Sequence, residues 1–404
     1  MMACLQNGDR LSAILLKTKG LQKTHEISKF AIMRLLTWIM VFAVLAGQPV
    51  QLLRNRQQAR TVKSLTELEE GRFFRLDYKA DYRLQDFIEA DLASKEAVQG
   101  GVAQMLLDFS SMPAGSLAAL RPACSAFQAV TPDGEVIYGR NFDYDFDDGS
   151  AIVMRTRPRG AYRSMTLVSM DHVGLSGAQL SDGDTDLSML VAAPYAMMDG
   201  MNEKGLAVSV LALTGGGCAC QYEEGKHALM TTVLMRLLLD RAATVDEALS
   251  LCRNYNFFAD GEQRGVPSGD KTNYHFLLSD ASGRSVVLEY VRDGGLKGNG
   301  PWVMKVLEER CVTNFYLAEG WRSVIRPDKR YDVLLQTLAE KQAVMTESEA
   351  MALLQAVSQK ASRRGDVRTQ WSVVYNLTRR TATICPAGDY SHPYSVSLRP
   401  RDWK

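Results

Sequence analysis

The residues of this 404-residue chain that could do chemistry are densest between Cys124 and Tyr144, CSAFQAVTPDGEVIYGRNFDY. A thiol opens one run of alternating apolar residues, and Arg140, Asn141 and Asp143 close a second. Between the runs lies Thr131-Pro132-Asp133-Gly134, and an Asp-Gly between alternating apolar residues predicts a hairpin. Cys124 and Asp143 stand nearly equidistant from that turn, so thiol, guanidinium and carboxylate are expected to converge at the hairpin's open end. A guanidinium beside a thiol favours the thiolate, and a carboxylate in that position can bind a cation such as an amine. On the hairpin alone the competing reading is an inert buried cysteine next to an Arg140–Asp143 surface ion pair.

A nucleophilic thiol needs a base. The five histidines, His25, His172, His227, His275 and His392, sit in no motif of a Cys-His pair. His275 opens an apolar strand and reads as a packing residue. Another available base is the α-amino group of a chain that begins at the nucleophile, whose intrinsic pKa of roughly 7.7–8.0 suits general base work near neutrality. Cutting between Ala123 and Cys124 creates that amine.

With these residues in view, the chain resembles the N-terminal nucleophile cysteine hydrolases of the choloylglycine hydrolase and penicillin V acylase family, to which the penicillin-forming acyltransferases are related. The resemblance is carried by Cys124, Phe127, Asp133-Gly134 and Gly139-Arg140-Asn141-Phe142-Asp143. It continues through Met201-Asn202-Glu203-Lys204-Gly205-Leu206, HFLLSDASGRSVVLEY, Val312-Thr313-Asn314, Lys329-Arg330-Tyr331 and Gln370 to Asn376. It implies a four-layer αββα fold of the α+β class with two stacked antiparallel sheets. It also implies a self-processing amidase acting on linear non-peptide C–N bonds, such as those of bile-acid conjugates, penicillin V or N-acyl amino acids. Cys124 would be the nucleophile and Arg140 and Asp143 would orient it. Asn314 would offer its amide to the oxyanion, and Arg330 would match the late active-site arginine. The asparagine that bile-salt hydrolases carry after the GLAxxxL strand is replaced here by Ala212, whose backbone N–H can still serve an oxyanion. Asn202 has two readings, a weak substrate contact and a turn residue opening NEKGL. Acyl transfer to an amine, and a membrane-anchored protein that binds without catalysis, are the alternatives. The resemblance implies no metal and no cofactor, and it admits a homo-oligomer.

Other clusters argue against themselves. Asp143 to Gly149 looks like a calcium loop, but its glycine is one place late and Met154 occupies the twelfth position. Cys218-Ala219-Cys220 has no second ligand pair at zinc spacing and reads as a loop near the substrate mouth. Arg363-Arg364 with Arg368 reads as a solvated run.

These residues need elements to hold them. A second hairpin is predicted from HFLLSD and RSVVLEYV around Ala281-Ser282-Gly283. Helices are predicted over Leu229–Ala242, Thr244–Cys252, Lys329–Glu340 and Thr346–Ala361, and strands over WSVVYNL, TATIC and SVSL. Antiparallel strand pairs with helix pairs between them predict layered α/β architecture rather than βαβ alternation. Residues 84–109 carry a helical pattern interrupted at Gly100-Gly101. Upstream, Arg34 precedes the apolar run Leu35–Ala46, whose 12 residues fit a secretory signal and fall short of the ~20 of a membrane span. The expected organisation is a signal or anchor over 1–47 with an upstream extension, a prosegment over 48–123 and a catalytic domain over 124–404. The mature protein is expected to be secreted or periplasmic, with membrane anchoring through the apolar run as the alternative.

Composition sets the outer bounds. A hydrophobic fraction of 46% supports a large core, and 47 basic against 46 acidic residues leave a net charge of +1, with no field to gather nucleic acid. Seven cysteines are too few and too scattered for a disulfide scaffold.

Overall fold

The computed structural model describes residues 55–107, 123–145, 149–182, 184–213, 217–259, 273–296, 298–321, 328–361, 366–399 and 402. The apolar run 35–46 and Arg363-Arg364 lie outside them. No helix among the described residues is long and apolar enough to cross a membrane.

The first strands fall in the expected prosegment, where the sequence showed only charge and helix formers. They are β1 (Thr66–Glu69) and β2 (Phe73–Tyr78). The helix expected over 84–109 is broken in two, α1 (Leu84–Glu89) and α2 (Lys95–Val102), and ends in a π-helical turn over Ala103–Leu107. The break has a local cause: Asp91 takes a left-handed φ of 49°, and the Ser94 side chain then caps α2 by accepting from Ala97 N at 3.1 Å.

The predicted hairpin is β3 (Ser125–Val130) and β4 (Val136–Tyr144). β5 (Ala151–Thr156), β6 (Ser164–Ser169), the short α3 (Gly177–Ser181), β7 (Met197–Asn202) and β8 (Ala207–Leu213) follow. Next come β9 (Ala228–Met230), α4 (Thr231–Arg241), α5 (Val245–Arg253) and β10 (Asn256–Phe258). The second hairpin is β11 (Asn273–Ser279) and β12 (Ser285–Arg292), succeeded by β13 (Trp302–Leu307) and β14 (Cys311–Val312). The chain closes with α6 (Lys329–Glu340), α7 (Glu347–Ala356), β15 (Arg368–Asn376), β16 (Thr381–Pro386) and β17 (Tyr394–Ser397). Thr346 and Glu349 form the capping box that starts α7, and Asp328 caps α6 by accepting from Tyr331 N at 3.1 Å.

The strands make two large sheets. One has nine strands in the order β1-β2-β5-β6-β7-β8-β11-β12-β13, and the other has six, β14-β3-β4-β15-β16-β17. Both are antiparallel except that β2 pairs with β5 in parallel. Helix α4 packs on β7 and β8 of the larger sheet, while α6 lies on β3 and β14 and α7 on β4 and β15 of the smaller. Side chains bridge the inner faces: Tyr138 of β4 bonds Ser209 of β8 and Leu277 O of β11, and Trp371 of β15 donates to Asp199 of β7 at 2.9 Å. The order is therefore helix, sheet, sheet, helix, the four-layer αββα arrangement the resemblance implies.

One close approach fixes the central hairpin. A Cβ on Gly139 would stand 2.5 Å from a ring carbon of Phe127, the residue opposite it in register. Glycine at 139 lets that ring lie flat across β4 against the helical layer, where Phe127 packs with Ile137 and Leu334. Gly139→Ala is expected to cost about 1–3 kcal/mol of unfolding free energy by overpacking. In Phe127→Leu the same change should cost measurably less, which a double-mutant cycle in urea checks.

Candidate active site

Strand alternation divides the Gly139–Asp143 motif between two environments. Arg140 and Phe142 point between the sheets, whereas Asn141 and Asp143 point toward the helices. Phe142 stacks on Trp371 with centroids 4.4 Å apart, and Asn141 donates to Leu354 O of α7 at 2.7 Å. The motif thus builds the joint between the layers as well as the site.

Arg140 is wholly buried. Its Nη2 donates to Val210 O at 2.7 Å and to the Cys124 thiol at 3.2 Å, and Nη1 donates to Asn141 O at 2.8 Å. Behind it, Asp199 lies 3.7 Å from Nε and is itself held by Tyr375 OH at 2.5 Å and Trp371 Nε1 at 2.9 Å. Burial opposes the guanidinium's charge, but Cys124, Asp199 and Tyr138 outweigh it and hold Arg140 above its ordinary range. Burial also raises the Asp199 carboxyl against the pull of Arg140. A continuous string Asp199–Arg140–Cys124 therefore crosses from the larger sheet to the thiol.

Asp143, three residues from Arg140, projects its carboxylate from the opposite face of β4, still within range of the Arg140 charge. It accepts from Thr369 Oγ1 at 2.5 Å and lies 3.5 Å from Arg330 Nη1. Its backbone carbonyl accepts from Ala123 N at 3.3 Å and stands 3.9 Å from the Cys124 sulfur. Arg330 Nη1, which reaches both Cys124 O and this carboxylate, places Asp143 beside the main chain of Cys124. Burial pushes Asp143 up to about 7, with Arg330 and the Thr369 hydrogen bond pulling the other way.

Arg330 ties the remaining predicted residues together. Nη1 donates to Cys124 O at 2.7 Å and to Ser125 Oγ at 3.3 Å; Nη2 donates to Asn314 Oδ1 at 3.2 Å and bonds Asp328. Asn314 Nδ2 in turn donates to Ala212 O at 2.8 Å. Cys124, Arg140, Asp143, Arg330, Asn314 and Ala212 therefore form one bonded network. Asn202 does not join it. Its amide donates to Leu239 O and Ala242 O at 2.9 and 2.7 Å and accepts from Lys204 N and Leu206 N, the geometry of a turn residue fastened to the end of α4.

Four contributors escaped the sequence reading. Asp199, Thr369 and Asp328 are described above. The fourth, Glu289 on β12, accepts from Leu317 N and Ala318 N at 2.8 and 2.9 Å and so pins the segment just after Asn314. His275 packs in the core as expected, but with Nδ1 3.1 Å from Glu289. A lone carboxylate within the largely apolar run MMDGMN, as Asp199 is, was the available signal, because burying such a group is costly unless it is paired.

Burial pushes the Cys252 and Cys311 thiols up to about 12 and Cys385 up to about 11, which leaves these three protonated at neutral pH. Cys218 to Cys220 lies outside the named strands, as a loop tied down at two points: Ala259 N donates to Ala219 O at 2.8 Å, and Cys220 forms an isolated bridge to Phe258. A cleft of about 430 Å³ includes Thr369, the donor to Asp143, in its wall.

Residues 124–298 match the family model described as linear amide C-N hydrolases, choloylglycine hydrolase family. An uncharacterized protein of Paramecium bursaria Chlorella virus 1 is 24% identical over 176 residues, 43% of this chain and 51% of that protein, so the match spans about half of the relative's length. Among solved structures, a variant of the conjugated bile acid hydrolase from Clostridium perfringens is similar at 14% identity and a TM-score of 0.48, over 68% of this chain and 92% of that one. Penicillin V acylase from Agrobacterium tumefaciens is similar at 19% identity and a TM-score of 0.44, over 68% and 86%.

The raised Asp143 carboxyl has a stability consequence. Between its ordinary 3.8 and about 7 the folded state holds a proton that the unfolded state has released. The slope of unfolding free energy with pH is then negative, so this residue's contribution falls as pH rises through that window. Urea unfolding from pH 4 to 7 is expected to show a flatter decline in Asp143→Asn than in the parent; an identical profile would count against the assignment.

Proposed function

We propose, on the premise that residues 124–298 belong to the choloylglycine hydrolase family of linear amide C-N hydrolases, that this chain is a self-processing cysteine amidase. The observation that carries the reading is the Cys124 thiol accepting from buried Arg140 at 3.2 Å while its own carbonyl is held by Arg330 at 2.7 Å, one residue beyond Ala123. Processing begins when the Cys124 sulfur attacks the Ala123 carbonyl. The peptide C–N bond breaks as the acyl chain moves to sulfur, and water then cleaves the thioester, leaving a carboxylate on Ala123 and a free α-amine on Cys124.

That amine takes the thiol proton, with Asp143 and Arg330 fixing its position. The thiolate attacks the substrate amide carbonyl. Asn314 exchanges its Ala212 acceptor for the developing oxyanion, a donation typically worth about 2.7–4 kcal/mol in the transition state, and the Ala212 N–H adds to it. The α-ammonium returns its proton to the leaving amine as the C–N bond breaks. Water, deprotonated by the same amine, then releases the acid and regenerates the thiol. Bile-acid conjugates, penicillin V and N-acyl amino acids share the bond this sequence cleaves. The apolar run 35–46 supports export of the protein before or during processing.

N-terminal sequencing and intact mass of purified protein are expected to show a chain beginning at Cys124, absent in Cys124→Ala. The processed protein should release free acid from at least one member of a panel holding a conjugated bile acid, penicillin V and an N-acyl amino acid. Added hydroxylamine should divert part of that acid to hydroxamate. An uncut chain that still hydrolyses the panel would overturn the mechanism, and hydroxamate or amide formed without free acid would make the protein an acyltransferase.

A further inference from the structure

Resting on the self-processing reading, we propose that the segment before the cut is not discarded: residues 58–107 stay bound as a second, non-covalently held chain that completes the larger sheet of the working protein.

Where the segment's strand lies makes this case first. β2 is an interior strand, flanked by β1 and by β5, and it pairs with β5 in register from Phe73↔Ala151 to Tyr78↔Thr156. Phe73, Phe74 and Leu76 are at most 1% exposed, as buried as the catalytic strands. Every residue of β5 is buried as well. Removing β1 and β2 would turn β5, AIVMRT, into a bare apolar edge with unpaired backbone groups, a template for aggregation.

Polar groups lead to the same conclusion. Asp240 and Arg236 on α4 form a buried ion pair at 2.7 Å, and Tyr82 closes it: its hydroxyl donates to Asp240 Oδ2 at 2.6 Å and its ring lies 5.4 Å from the Arg236 guanidinium. Loss of Tyr82 would open that pair to solvent on one side. Tyr195 OH donates back to Tyr82 O at 2.7 Å, Tyr78 OH to Val191 O at 2.7 Å, and Arg155 pairs with Asp77 at 2.6 Å. Contact is so close that a Cβ on Gly177 would fall 1.7 Å from Gly71 O. Ala123 itself begins beside Asp143, on the smaller sheet. A cut at that bond therefore severs the chain without touching any of these contacts.

Denaturing and native mass spectrometry on the same purified protein separate the two claims. Denaturing spectra report whether the 123–124 bond is cut. If it is not, self-processing fails by itself, and a specific-protease site placed within residues 108–122 makes the cut for the retention test. Native spectra of cut protein are expected to show both chains at one to one. In urea, release of the N-terminal chain and loss of far-ultraviolet circular dichroism should share one midpoint. Tyr82→Phe, which deletes one hydroxyl, should lower both midpoints together. Native spectra dominated by the 124–404 chain alone with its circular dichroism intact, or release at a lower urea concentration than unfolding, would overturn the proposal.

Discussion

A guanidinium buried between two sheets is the constraint on which the rest of this structure depends. Arg140 is fully buried, so its charge must be met inside the protein; breaking such a buried pair typically costs about 3–5 kcal/mol. Its partners come from both sheets: the acceptor Val210 O and the ion-pair partner Asp199 from the larger, the acceptors Asn141 O and the Cys124 thiol from the smaller. Satisfying the charge fixes the sheets' relative position and places the sulfur in one operation. Trp371 and Tyr375, four residues apart and so on one face of β15, then hold Asp199 from the other side.

The period of two in a β-strand assigns the chemistry. Arg140 on the inner face addresses the sulfur; Asp143 on the outer face addresses the main chain of Cys124, with Arg330 arriving from the first turn of α6. In the proposed mechanism these two neighbourhoods serve the thiolate and the α-ammonium of Cys124. Arg330 links the second to Asn314, and Glu289 secures the segment that carries Asn314.

Much of this was legible in the sequence where local signals are strong. The Asp-Gly hairpin, the second hairpin and the helices capped by Thr244 and Thr346 stand within a few residues of expectation, because turn and cap chemistry is local. Cys124, Arg140, Asp143, Asn314 and Arg330, singled out by their motifs, are brought together by the fold. What stayed hidden is non-local. β1 and β2 lie in a segment dominated by charge, and only pairing with β5 makes FFRLDY a buried strand. Distance from the turn fixed the level of Arg140 and Asp143 along the hairpin but not the face each takes. Asp199 stayed hidden because its partners Arg140, Trp371 and Tyr375 come from other strands, distant in sequence.

The most direct test of Cys124 as the acyl carrier is mass spectrometry of protein acid-quenched during turnover of a slowly hydrolysed amide. Expected is the acyl mass on the peptide that begins with Cys124, removed by hydroxylamine at neutral pH and absent when Cys124 is replaced by Ala. An acyl adduct on any other residue, or steady turnover with Cys124 never modified, would contradict it.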